Sequence, residues 1–427
     1  MTTNADKKID WHKQATGLAA TPSRPDPIPA HETWFGYCPQ EQVDGRGSRP
    51  RQVRWSPRSH EPQPCVAILN RYVEQGHEDD GRPPVLILPG ATAWRGTFFQ
   101  PEQPESGLIG RLARRKFDVW TLDWRGTKVI TDLWRGCTRD EVPAEIEAMT
   151  LEAIASEEVP AAVRKIAERA KGQADIAILG HCVGSAVAAL AIARGALEGC
   201  ARGGASSRPS AILSTIGLFY RGAVDTWLRA NERLDESIAG TPLPEPWYID
   251  FAVEIGERPA WPEFYEKFYG LWTKTPYPHC ELSFCRRISS IIGAPYRPDD
   301  IAYLHDDEHA GLAEQFGVLP LALLDDIGRA VRRGYVDAQL VANGGQAEAR
   351  AHFGAFAVTL LTGSENQLWH RDSIDRMHEW LLRSGQIELE KRIFDRYGHQ
   401  DLWWSPRAAE RDGVYDYVER RLRGASQ

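Results

Sequence analysis

Several things are scarce in this chain of 427 residues. Its cysteines are few and unpaired in pattern: seven, at 38, 65, 137, 182, 200, 280 and 285, an odd number at wide intervals. No disulfide framework has that spacing. No long uncharged apolar run is present, so no membrane span is expected. Met1 to Lys8 has no apolar core of a signal peptide, so the expected compartment is the cytoplasm, where cysteine stays reduced. Basic residues show no excess: 51 Lys and Arg stand against 59 Asp and Glu, a net charge of −8. That balance argues against a nucleic-acid groove or an anionic lipid surface. No complete metal-ligand pattern is found. His279-Cys280 with Cys285 has no second pair, and His305 and His309, at i,i+4, lack the H-E-x-x-H order. Neither a metal nor another cofactor is expected.

Tryptophan, by contrast, is abundant, with 15 copies. So is buried-strand patterning. Pro84–Leu88 is an apolar run closed by Pro89-Gly90, and Asp118–Asp123 is a second strand followed by Trp124-Arg125-Gly126-Thr127. The spacing predicts helices over 108–116 and 159–171, and strands over 175–179 and 211–216. Strand alternating with helix is the pattern of a parallel sheet covered on both faces. Val53–Trp55 and Cys65–Leu69 are expected as antiparallel strands at its edge. The alternation stops near Leu218 and resumes at Ala355–Leu361, followed by a helix over 373–382, a strand over 387–394 and a helix over 414–422.

The domain reading is therefore a proline-rich tail over 1–30, an α/β core over 31–217 and 351–427, and a helical cap over 218–350. The cap carries Trp227, Trp247, Trp261, Phe264, Tyr265, Phe268, Tyr269 and Trp272.

The chemistry centres on Ile176 to Leu190. An apolar strand ends in Gly180-His181-Cys182-Val183-Gly184, then small helix formers follow. This is the form of a nucleophile elbow, G-x-S-x-G, with cysteine in the serine position. The flanking glycines fit so tight a turn because side chains there would collide. Cys182 is the candidate nucleophile. His399, just past the last strand, is the candidate base, and the turn 363–366 past the preceding strand offers a group to orient it. The backbone N–H groups of Val183 and Ala91 are the candidate oxyanion donors. The order nucleophile, acid, histidine is that of the α/β-hydrolases.

From Pro84 to the C-terminus the chain resembles an α/β-hydrolase. Within that superfamily it is similar to the cysteine-nucleophile hydrolase-like domain found beside cholesterol-oxidase-type flavoprotein oxidoreductases, and more distantly to polyhydroxyalkanoate synthases. The resemblance rests on Gly180 to Ser185, on Cys280 with Cys285 to Ile288, on Gly363 with Asn366, and on Tyr397-Gly398-His399 with Asp401. It departs in two ways. No G-x-G-x-x-G follows the first strand, so no flavin domain is expected within this sequence. Where many hydrolases carry an acid three residues after the strand-ending glycine, this chain has Asn366, with Glu365 beside it. Asn366, Glu365 and Asp401 remain as candidate orienting residues, Asp401 with a competing role in bracing its loop.

The resemblance implies hydrolysis or transfer of acyl groups on lipid-like substrates. The expected activity is an esterase, lipase-like enzyme or thioesterase acting through an acyl-Cys182 intermediate. The alternatives are an acyltransferase resembling polyhydroxyalkanoate synthase, and a catalytically silent hydrolase fold that binds a hydrophobic ligand or a partner. The expected partner is a small apolar acyl substrate; oligomeric state is left open.

Overall fold

The computed structural model describes residues 30–36, 54–55, 67–73, 80–98, 107–135, 139–171, 175–197, 208–223, 247–250, 315–342, 344–383 and 388–424, with Cys137, Thr226, Ala230 and Ile288 as isolated positions. The strands are β1 (Ala30–Gly36), β2 (Arg54–Trp55), β3 (Ala67–Val73), β4 (Pro84–Leu88), β5 (Asp118–Asp123), β6 (Ala177–His181), β7 (Ser210–Ser214), β8 (Tyr248–Ile249), β9 (Leu319–Pro320), β10 (Ala357–Gly363) and β11 (Glu388–Phe394). The main helices are α1 (Leu108–Arg114), α2 (Val159–Arg169), α3 (Val183–Ala193), α4 (Leu321–Arg333), α5 (Gln346–Phe353), α6 (Asp372–Leu382), α7 (Asp401–Trp404) and α8 (Val414–Leu422).

Among the described residues nine strands form one sheet, in the order β11-β10-β7-β6-β4-β5-β3-β1-β2. From β5 to β11 every neighbouring pair is parallel. β4, β6, β7 and β10 are buried along their whole length, which is why they read as unbroken apolar runs rather than as alternation. β11 is the edge, and it is guarded by charge: Glu388, Glu390, Lys391 and Arg392 keep it from pairing with another chain. From α8, Arg421 reaches across to Glu390 at 2.8 Å and to Thr359 Oγ1 on β10 at 2.9 Å.

The opposite edge differs from the expected one. β3 is antiparallel as expected but does not pair with β2. β1 lies between them, antiparallel to β3 and parallel to β2. A strand at 30–36 was not expected, because it abuts a proline-rich stretch that masks its start. β6 also runs two residues further than expected, to His181.

α3 explains the layer behind the elbow. All eleven of its residues are buried, and most are Ala, Gly or Ser. Small side chains let this central helix lie close to β6 and β7. Before α2, a π-helical turn over Ile154–Glu158 sets Glu157 and Glu158 toward the turn after β5.

Candidate active site

Cys182 stands between β6 and α3 with φ 54° and ψ −128°, a strained conformation for a residue with a side chain. The strain persists because the flanking backbone leaves no alternative. A Cβ on Gly180 would sit 2.5 Å from Ser185 Cα, and one on Gly184 would sit 2.3 Å from the Pro89 carbonyl oxygen. The turn after β4 also comes close: a Cβ on Gly90 would lie 3.0 Å from Cys182 Cβ. Ala91 follows that glycine. Neither its N–H nor that of Val183 donates to a backbone carbonyl among the described residues.

The sulfur is almost wholly enclosed, 7% of the residue being exposed. Burial pushes its thiol up to about 11, partly offset by hydrogen bonds from the Trp369 indole and the Val183 N–H. Trp369 Nε1 donates to Cys182 Sγ at 3.4 Å. Its ring meets Tyr220 edge to face, with centroids 5.2 Å apart. The Tyr220 hydroxyl is buried without a hydrogen-bond partner among the described residues.

His399 follows β11. The ends of β10 and β11 approach so closely that a Cβ on Gly363 would fall 2.0 Å from the Tyr397 carbonyl oxygen. That brings Asn366 Nδ2 to 3.2 Å from His399 Nδ1. His399 is 1% exposed, and burial lowers its pKa to about 3, so it is neutral at pH 7. Its Nε2 is buried with no hydrogen-bond partner among the described residues, Cys182 Sγ included. His181 lies against it, ring centroids 4.6 Å apart, and is also held neutral, first by burial and then by His399. His181 Nδ1 shares a 3.1 Å hydrogen bond with Ser214 Oγ, and Trp403 packs on its edge.

The candidate residues thus divide. Cys182, Val183 and the turn bearing Ala91 converge on one strand end, and Asn366 contacts His399. Glu365 is exposed, and its backbone N–H donates to the Tyr397 carbonyl. Asp401 is buried and accepts the Gly398 N–H at 2.8 Å, which ties down the loop carrying His399. Arg125 is engaged by Glu157, Glu158 and the Glu145 carbonyl, a structural brace under the turn. His279, Cys280, Cys285, His305, His309, Trp227 and the aromatic run from Trp261 to Trp272 lie outside the described residues. Among the described residues no cluster of His, Cys, Asp and Glu could hold a metal ion, and no helix is long and apolar enough to cross a membrane.

Sequence reasoning missed Trp369 and Tyr220. No motif names either. The available signal was weak: Trp369 lies three residues past Asn366, just beyond the turn assigned to the site.

Residues 83–198 match the family model for the alpha/beta hydrolase fold. No curated protein sequence matches the chain. Three solved structures are similar in shape. A soluble variant of monoglyceride lipase from Saccharomyces cerevisiae, with a substrate analogue, has 14% identity and a TM-score of 0.49, covering 95% of this chain and 97% of that one. A thermostable carboxyl esterase from Bacillus coagulans, with glycerol, has 13% identity and a TM-score of 0.48, covering 84% and 94%. An acetylester hydrolase from Corynebacterium glutamicum has 12% identity and a TM-score of 0.47, covering 92% and 95%. The parallel sheet, the elbow after β6 and the matched segment place the chain in the α/β-hydrolase fold.

Proposed function

We propose that this protein cleaves an ester or thioester of a bulky apolar acyl substrate through a covalent acyl-Cys182 intermediate. One observation carries the reading: Cys182 is held at φ 54°, ψ −128° between a buried strand and a helix N-terminus. Strain of that kind persists where exposing a side chain to a reacting group is worth its cost. In the reaction, Cys182 Sγ attacks the acyl carbonyl, its proton passing to His399. The oxyanion sits between the N–H groups of Ala91 and Val183. His399 returns the proton to the leaving alcohol or thiol, then activates water to release the acid. Asn366 is the residue that contacts His399 in this reading, ahead of Glu365 and Asp401, and the imidazole proton must leave Nε2 before that atom acts as base. Residues 218–350 serve as a cap over an apolar acyl pocket, in line with the cysteine-nucleophile branch the chain resembles.

Transfer of the acyl group to an alcohol uses the same intermediate. Partitioning between water and added alcohol separates it from hydrolysis.

A second reading, the silent fold, is favoured by a specific observation. The thiol is raised to about 11, and no hydrogen bond joins it to His399. Wild type and Cys182→Ala are to be compared on p-nitrophenyl esters of increasing chain length. Turnover that rises with chain length and is lost in Cys182→Ala is expected. Equal turnover in a folded Cys182→Ala preparation, or none in wild type on any ester, contradicts the acyl-enzyme.

A further inference from the structure

The Asn366 amide has a fixed polarity. Its Oδ1 accepts two backbone N–H groups, from Leu368 and Trp369, each at 3.0 Å. Turned over, the amide would set its NH₂ against two donors, so only one orientation is stable. The face presented to His399 Nδ1, at 3.2 Å, is therefore an N–H. A hydrogen bond there needs a lone pair on Nδ1. Neutral imidazole has a single N–H, which then resides on Nε2.

We propose that Asn366 holds His399 as the Nε2–H tautomer and so keeps Cys182 a thiol, a latch on the acyl chemistry. The functional consequence rests on the acyl-Cys182 reading; the tautomer does not. To take the thiol proton, Nε2 must offer a lone pair. The imidazole proton must first move to Nδ1, where it would face the Asn366 N–H, donor against donor. Imidazolium, protonated on both nitrogens, meets the same conflict. Trp369 belongs to the same turn and acts twice, its backbone N–H holding Asn366 Oδ1 and its indole N–H holding Cys182 Sγ. The other titratable groups around the pair are His181 against the His399 ring, Tyr220, whose hydroxyl is raised by burial and then by the charges of Cys182 and Asp326, and Asp401 on the His399 loop.

Asn366→Asp tests the latch with little change of shape. One carboxylate oxygen keeps the Leu368 and Trp369 N–H bonds. The other accepts from Nδ1–H, which shifts the imidazole proton and frees Nε2. In a serine-protease triad, the carboxylate-to-amide change that traps this tautomer costs about 10⁴ in kcat. The reverse change here is expected to speed alkylation of Cys182 at pH 7 by at least about tenfold, because the thiolate is the nucleophile.

Two readouts decide it. Imidazole ¹⁵N NMR, with His399 assigned through His399→Gln, is expected to show Nε2 protonated and Nδ1 bare in wild type. In Asn366→Asp, Nδ1 should carry a proton. Peptide-resolved alkylation by iodoacetamide across pH 6–11 should move the Cys182 profile to lower pH in the variant. A wild-type spectrum with Nδ1 protonated overturns the latch, as does an unchanged alkylation profile in a folded Asn366→Asp protein. If that variant does not fold, the wild-type spectrum decides alone. Absence of acylation together with an Nε2–H spectrum overturns the acyl-enzyme and leaves the latch standing.

Discussion

Arg125 and Glu158 form the most deeply buried ion pair near the site, with side chains 4% and 3% exposed. Glu158 also accepts the Arg125 backbone N–H at 3.0 Å, so one carboxylate holds the turn after β5 at two points. Removing it strands a buried guanidinium, with the half-exposed Glu157 as a partial substitute. Glu158→Ala is therefore expected to cost about 3 kcal/mol in urea unfolding, and Glu158→Gln less, since it keeps acceptor geometry. A cost below about 0.5 kcal/mol for the alanine variant would show the pair to be a bystander. Positions set by local pattern were legible: Cys182 in the turn between β6 and α3 by its glycines, and His399 by its place past a strand. Trp369 and Tyr220 were not, because a contact to sulfur depends on how two distant turns meet. The polarity of Asn366 was equally hidden. Only the two backbone N–H groups on its oxygen reveal which atom faces His399.

At the scale of elements, the elbow depends on three backbone segments meeting without side chains between them. Gly184 is the tightest, with the carbonyl oxygens of Pro89 and Leu88 at 2.3 and 2.4 Å from where a Cβ would be. Gly184→Ala must push α3 off the end of β4. The expected cost is about 3 kcal/mol or more, measured by chemical denaturation, with disordered Cys182 geometry as a consequence. A fully stable, alkylation-unchanged Gly184→Ala protein would mean that the strand-to-helix approach is looser than described. The buried parallel strands were the readable elements, since each is a bare apolar run. β1 was missed and the pairing of β2 differs from the expected one, because edge strands carry no such run and their partners are settled by topology rather than composition. Most of the proposed cap, 218–350, lies outside the described residues.

For the molecule as a whole, two neutral histidines are enclosed at the centre of the fold. His399 is lowered to about 3 and His181 well below its ordinary value, both chiefly by burial. The unfolded chain takes up these protons near pH 6.5, the native state only far below it. In that window the unfolded state binds more protons, so stability is complete above pH 6.5 and falls as pH drops. Each buried histidine contributes a slope of about 1.4 kcal/mol per pH unit there. Cys182 acts at the other end. Its thiol is raised from 9.0 to about 11, so stability falls as pH rises through that interval. Urea midpoints measured from pH 4 to 10 should form a plateau between these limits. His399→Gln should flatten the acid limb by about one histidine's share. An acid limb of equal slope in that variant would show His399 to be solvated in the native state.

The acyl-enzyme is tested most directly by intact-mass analysis of wild type and Asn366→Asp after brief exposure to p-nitrophenyl esters and acyl-CoAs, followed by peptide mapping. The account predicts a single acyl adduct on Cys182, forming faster in Asn366→Asp and absent in Cys182→Ala. No adduct in either protein, or an adduct located on another residue, would contradict it.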